Sequence, residues 1–149
     1  MTKPKNEVKL QLDSRSVNEG YARVAVSAFA AVLDPTVEEI NDIRTAVSEA
    51  VTNCIVHAYR NGVGKIYIRV RLFDGGKVEI QIRDRGCGIA DVEKAREPLF
   101  TTLGGDRSGL GFSVMESFCD RVRVRSAVGK GTTVTLVKII KGRDEPCEP

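Results

Sequence analysis

Residues 65–83 place the tightest limit on what this chain can fold into. Ile66, Ile68, Val70 and Leu72 alternate with polar residues, and after Asp74-Gly75-Gly76 the residues Val78, Ile80 and Ile82 do the same. A hydrophobic period of two is the mark of a strand with one buried face. The Asp-Gly-Gly between the two runs is a tight-hairpin signal. The opposite face carries Lys65, Arg69, Arg71, Glu79, Gln81 and Arg83. One apolar face and one charged face predict an antiparallel sheet covered by helices on one side only.

The rest of the chain supplies those helices and more strand. Val8, Leu10 and Leu12 alternate over Glu7–Asp13, which predicts a first strand. Ser16 and Glu19 have the S-x-x-E spacing of a capping box. The helix they open runs to about Leu33, with Val17, Tyr21, Val24, Ala28 and Val32 as its expected buried stripe. Glu19, Arg23 and Ser27 then fall on a wet stripe. Asp34 as N-cap and Pro35 at the first helical position restart the chain. Glu38 and Glu39 suit the positive end of that second helix. It turns Ile40, Ile43, Val47, Ala50, Val51 and Cys54 inward and continues to about Tyr59, before Asn61-Gly62.

Beyond the hairpin, a short helix is expected near Asp91–Arg96, then a flexible loop containing Pro98, Gly104 and Gly105. A third helix is expected from Ser108 to about Cys119. Val122 and Val124 mark a strand, Gly129–Gly131 a turn, and Thr132–Ile140 a last strand. The expected organisation is one domain over residues 1–142 and a flexible tail over 143–149.

Composition narrows the function classes. The length of 149 residues suits one core, and 42% apolar with 29% charged residues is ordinary for a soluble domain. A net charge of +3 makes no case for nucleic acid or for a membrane surface. Cys54, Cys87, Cys119 and Cys147 form no C-x-x-C pair, and His57 is the single histidine, which argues against zinc. The sequence carries no leader pattern and no apolar run of membrane-spanning length. A cytoplasmic protein with reduced thiols is the expectation.

Three motifs carry chemistry. Glu49, Asn53 and His57 stand at i, i+4 and i+8 on one helix stripe. An amide oxygen ligates Mg²⁺ without adding charge, and a carboxylate one turn away can take a proton from an attacking hydroxyl. Taken alone, the stripe reads first as a solvated helix face that ends in a His. Asp84-x-Gly86-x-Gly88 closes a strand with a carboxylate and two glycines, suited to reading the exocyclic amine of adenine, and is equally a plain turn. Gly109-x-Gly111 at a helix start can offer amides to phosphates, with Arg107 adding a cation, and is equally a Gly-rich turn capped by Ser108. It is neither a Walker A loop nor a Rossmann fingerprint.

The order E-x-x-x-N-x-x-x-H, then D-x-G-x-G, then G-L-G-F resembles the GHKL ATPase superfamily over nearly the whole chain. Within it the match is closest to the small anti-sigma serine kinases of spore-forming bacteria. The phrases that carry it are Gly20–Val24, Leu33–Pro35, Val47–Asn53 and Arg107–Phe112. The resemblance implies an α+β fold: a two-layer α/β sandwich of the GHKL (Bergerat) type, with a mixed, mostly antiparallel sheet. It implies ATP, ADP and Mg²⁺ as ligands. Glu49 is then the catalytic carboxylate and Asn53 the Mg²⁺ ligand. Asp84 reads adenine beside Gly86 and Gly88, and Thr133 lies near the base.

The resemblance further implies an ATP lid over about Ile89–Ser108, with Thr101 and Thr102 as nucleotide contacts. Arg107, Ser108, Gly109, Leu110 and Gly111 attend the phosphates, and Arg23 faces protein partners. The implied activity is that of an anti-sigma factor and protein-serine/threonine kinase. It holds a sporulation sigma factor, sigma F, as a homodimer and phosphorylates a serine of an anti-anti-sigma protein, with no direct contact to nucleic acid or membrane.

Other classes remain. A histidine-kinase-like catalytic domain needs a phosphoacceptor His on a dimerising helix pair, and His57 lies inside the nucleotide motif instead. A gyrase-like ATPase needs a transducing domain. An ATP-dependent binding module without kinase activity needs the same Glu49 and Asn53, so only phosphotransfer separates it from a kinase.

Overall fold

The computed structural model describes residues 3–97 and 111–142. Five strands form one sheet: β1 (Asn6–Asp13), β2 (Lys65–Leu72), β3 (Lys77–Asp84), β4 (Arg121–Ala127) and β5 (Gly131–Ile139), in the order β1-β2-β3-β5-β4. Every pairing among them is antiparallel. The β2–β3 hairpin turns at Gly75 and Gly76, whose φ of 79° and 78° favour glycine. A Cβ on Gly76 would also collide with the Ile140 carbonyl, so that glycine sets how β5 ends against the hairpin.

The helices α1 (Val17–Ala30) and α2 (Val37–Thr52) cover the apolar face, together with α3 (Val92–Ala95) and α4 (Phe112–Phe118). The alternation in β2 and β3 points Ile66, Ile68, Val70, Leu72, Val78, Ile80 and Ile82 into the core. Ile43, Val47 and Val51 of α2 join them. Each of the larger of these side chains contributes about 1.5–3 kcal/mol by leaving water. None of the described helices is long and apolar enough to cross a membrane.

The helix starts differ from the sequence expectation. Ser16 has helical backbone angles and makes no side-chain cap. Glu19 instead accepts a hydrogen bond from Ser48 Oγ at 2.5 Å, joining α1 to α2. Asp34 is not the cap of α2 either: it sits at φ 56°, closing a 3₁₀ turn over Ala31–Leu33. The capping box forms at Thr36, whose Oγ1 accepts from the Glu39 N–H at 3.1 Å while Glu39 Oε1 accepts from the Thr36 N–H at 2.9 Å.

The expected buried stripe of α1 lies on the outside. Val17 is 76% exposed, Tyr21 and Val24 each 55%, and Val32 just beyond the helix 67%; Ala28 is exposed too. The buried side is Ala22, Val26, Ser27 and Ala30. These small residues let α1 lie close on α2, and Ser27 is satisfied there by Val24 O and Arg44 Nε.

Candidate functional site

The α-helical pattern of α2 stops at Thr52, and Asn53–Ala58 form a π turn. The Tyr59 N–H donates to Cys54 O at 3.2 Å, an i→i+5 bond. Such wide turns recur where a helix must present an extra residue to a site. Here Asn53, Cys54, His57 and Ala58 all line one cavity of 310 Å³. Ile82 and Asp84 of β3, Gly88, α3, Phe112 and Thr132 complete its wall.

Asp84 ends β3 and is buried. Its Oδ1 accepts the Gly86 N–H at 2.9 Å and the Thr132 N–H at 3.2 Å, and its Oδ2 accepts the Cys54 thiol at 3.5 Å. A carboxylate has about four acceptor positions. Among the described residues three are filled, one of them by a thiol proton shared with the Ala50 carbonyl at the same 3.5 Å, which leaves room for one further donor from the cavity. Burial raises the pKa of Asp84 above its ordinary 3.8, against the pull of the amide and thiol donors. Burial, and after it the Asp84 carboxylate, push the Cys54 thiol well above its usual range.

The two glycines after Asp84 permit close packing. A Cβ on Gly86 would collide with the Ala58 carbonyl, and one on Gly88, at φ 78°, with the Ala127 carbonyl. The Cys87 N–H donates to Ala58 O at 3.1 Å. Tyr59 ties the same corner: its hydroxyl donates to Lys65 O and accepts from the Arg85 N–H, both at 2.6 Å. The π turn and the Asp84 loop are thus one unit.

Glu49 lies one turn before Asn53, on α2. Gly111, at φ 68°, is the N-cap of α4, and a Cβ there would collide with Glu49 Oε1. The carboxylate therefore sits against the entry to α4. Their chain neighbours Ala50 and Phe112 line the cavity.

Asn53, Asp84 and Gly88 line the cavity, Gly86 backs Asp84, and Glu49 and Gly111 meet beside it. Thr133 does not face it. It pairs with Arg83 and Arg125 on the outer side of the sheet, and its neighbour Thr132 is the cavity residue. The Thr132 hydroxyl is 2.7 Å from Ser126 Oγ. Val134 and Leu136 point inward, and counting back by two from them leads to Thr132. Cys54, which sequence reasoning treated only as core, and Phe112, which it named only within the G-L-G-F motif, are further cavity residues. Thr101, Thr102, Arg107, Ser108, Gly109 and Leu110 lie outside the described residues.

His57 lines the cavity, and burial together with Arg60 lowers its pKa below 6.5. Arg23 is away from the site, exposed on α1 and 3.6 Å from Glu19. Among the described residues, no group of three His, Cys, Asp or Glu side chains could hold a metal ion. Any Mg²⁺ here would need bound phosphate oxygens beside the Asn53 amide.

Residues 11–138 match the Histidine kinase-like ATPase domain family, and the chain belongs to it. Its relatives are narrower in kind. It is 56% identical over 136 residues to the Anti-sigma F factor of Caldanaerobacter subterraneus subsp. tengcongensis, covering 91% of this chain and 94% of that one. With the Anti-sigma F factor of Geobacillus kaustophilus the identity is 52% over 137 residues, with 91% and 94% covered. Among solved structures, the RsbU and RsbW domains of Rv1364c from Mycobacterium tuberculosis share the fold. The TM-score is 0.68 at 24% identity, covering 92% of this chain and 32% of that one. The mycobacterial sensor histidine kinase MprB shares it more distantly, with a TM-score of 0.55 at 18% identity over 91% of this chain and 99% of that one.

Proposed function

We propose that the chain is a cytoplasmic anti-sigma factor and serine kinase. It binds a sporulation sigma factor of the sigma F type and phosphorylates a serine of an anti-anti-sigma protein. The observation that carries the nucleotide part is Asp84: a buried carboxylate with one acceptor position left, facing a cavity that Asn53 also lines. An adenine amine matches that acceptor, and the closely packed Gly86–Gly88 loop suits a flat base. The sigma-factor part is supported by relatives at 51–56% identity that carry the name Anti-sigma F factor.

ATP, when bound, supplies the phosphoryl group, with Mg²⁺ neutralising its charge. The protein supplies position. Asn53 would hold the metal through its amide oxygen, Asp84 would orient the base, and Glu49 would take the proton of the attacking serine hydroxyl. Glu49 sits against Gly111, where a Cβ would collide with its Oε1. The exposed α1 stripe of Val17, Tyr21, Val24 and Ala28 is the face proposed to pair two copies, with Arg23 beside it as a cation for partner carboxylates.

The test is phosphotransfer. The purified chain, a candidate anti-anti-sigma protein and Mg-ATP should yield phosphoserine on the partner, and the chain should bind its sigma factor in the presence of nucleotide. Sigma binding without any phosphoserine would leave an ATP-dependent binding module. Failure of both would remove the reading.

A further inference from the structure

The outer face of the sheet carries a concentration of positive charge that the net charge of the chain conceals. The registers place Lys9, Arg69, Gln81, Thr135 and Arg123 in one row across the five strands, and Gln11, Tyr67, Arg83, Thr133 and Arg125 in the next. These two rows hold five cations and no carboxylate. Carboxylates on this face lie outside the band and are engaged. Glu7 and Glu79 flank Arg71 at 3.0 and 4.0 Å, and Asp13 holds Lys65 at 2.5 Å.

The band is poised for an anion. Lys9 and Arg69 are directly opposed like charges, an arrangement that opposes folding unless a counter-charge relieves it. The Nε–H of Arg69 is buried with no hydrogen-bond partner among the described residues. Lys9, Arg83, Arg123 and Arg125 are exposed. Gln81, Thr133 and Thr135 place uncharged hydrogen-bonding groups between them.

The chemistry favours carboxylates on a polypeptide. Guanidinium groups pair with carboxylate and phosphate alike. Single-stranded nucleic acid would also need an open aromatic face for its bases. The aromatic ring of these two rows, Tyr67, is already covered by Arg83 at 5.1 Å and by the adjoining Arg85 at 4.9 Å. A duplex groove admits one helix or a two-stranded ribbon, and this face is a five-stranded sheet too broad to enter it. We propose that the outer sheet face, centred on Arg69, Arg83, Arg123 and Arg125, is a docking surface for an acidic protein segment. It is distinct from the nucleotide cavity and from the α1 face, and it does not depend on the proposed kinase activity.

The probe is a labelled polyglutamate peptide of about twelve residues, titrated by fluorescence anisotropy into the full chain at about 50 mM salt, where surface charges are weakly screened. The parent should bind. Arg123→Gln with Arg125→Gln should weaken binding about tenfold or more, while Lys3→Gln with Arg15→Gln, which removes equal charge elsewhere, should leave it within about twofold. Amide chemical-shift mapping with the same peptide should place the changes on β2 and β4. Three results would overturn the proposal: no binding, equal loss in both double variants, or shift changes confined to the helices. So would tighter binding of a single-stranded or duplex oligonucleotide of similar charge, which would assign the face to nucleic acid.

Discussion

The Cys54 thiol lies 3.5 Å from Asp84 Oδ2, joining the π turn of the long helix to the end of β3 inside the cavity. That contact, with two backbone N–H groups on Oδ1, holds the buried Asp84 carboxylate at a fixed angle in the cavity.

Nucleotide affinity should therefore depend on the charge state of Asp84. Protonation removes an acceptor, so ATP affinity should fall as pH falls. Because burial raises the Asp84 pKa, the fall should begin above the ordinary 3.8 region. His57 lines the same cavity, its pKa lowered from 6.5, so two groups titrate nearby. Calorimetry on Asp84→Asn separates them: affinity should drop about tenfold or more and the acid part of the profile should flatten. Parental affinity in the variant would exclude Asp84 as the base-reading group.

Glu49→Gln should bind ATP and sigma factor at near-parental affinity and lose phosphotransfer by about 10²–10⁴-fold, the usual worth of a general base. Gly111→Ala should reproduce much of that loss, since its Cβ would displace Glu49 Oε1 and its φ of 68° strains any L side chain. Single-turnover kinetics with both variants are the check. A Glu49→Gln enzyme at the parental rate would rule the base role out.

The box at the start of α2 should matter for stability and for its pH dependence. Thr36→Ala should cost about 1 kcal/mol in denaturant unfolding. Burial works against the Glu39 charge, but hydrogen bonds from the Thr36, Lys141 and Gly142 N–H groups outweigh it, so its pKa is lowered from 4.5. A depressed carboxylate contributes stability that is present above the unfolded value and lost as pH falls through the folded one. Glu39→Gln should be less stable at neutral pH and should lose less on acidification below 4.5.

Tyr21→Arg with Val24→Arg should convert the proposed dimer to monomer in sedimentation while changing unfolding free energy by no more than about 0.5 kcal/mol, as expected of surface positions. Arg23→Ala should keep fold and nucleotide binding and weaken partner binding. A variant pair that stays dimeric would place the interface elsewhere.

The strands within residues 65–83, and β1 and β5 to within one residue at their ends, could be read from the sequence, because alternation binds each side chain to one face and a slip of one residue would bury the charges. The inward face of α2 was legible for the same reason at helical period. Asn53, Asp84 and Gly88 were legible as a motif, but their convergence was not.

Three matters needed the tertiary structure. Helix α1 has apolar residues on two sides, and only its packing on α2 decides that Ala22, Val26 and Ala30 are buried while Tyr21 and Val24 face outward. Whether Thr132 or Thr133 enters the site is a question of strand phase, settled by Val134 and Leu136 pointing into the core. The charge of the outer sheet face was invisible in a net charge of +3, because that sum counts the carboxylates of the helices together with the cations that strand pairing brings side by side. Local pattern determines the elements. Which faces meet, and which are left to partners, depends on contacts between residues far apart in the chain.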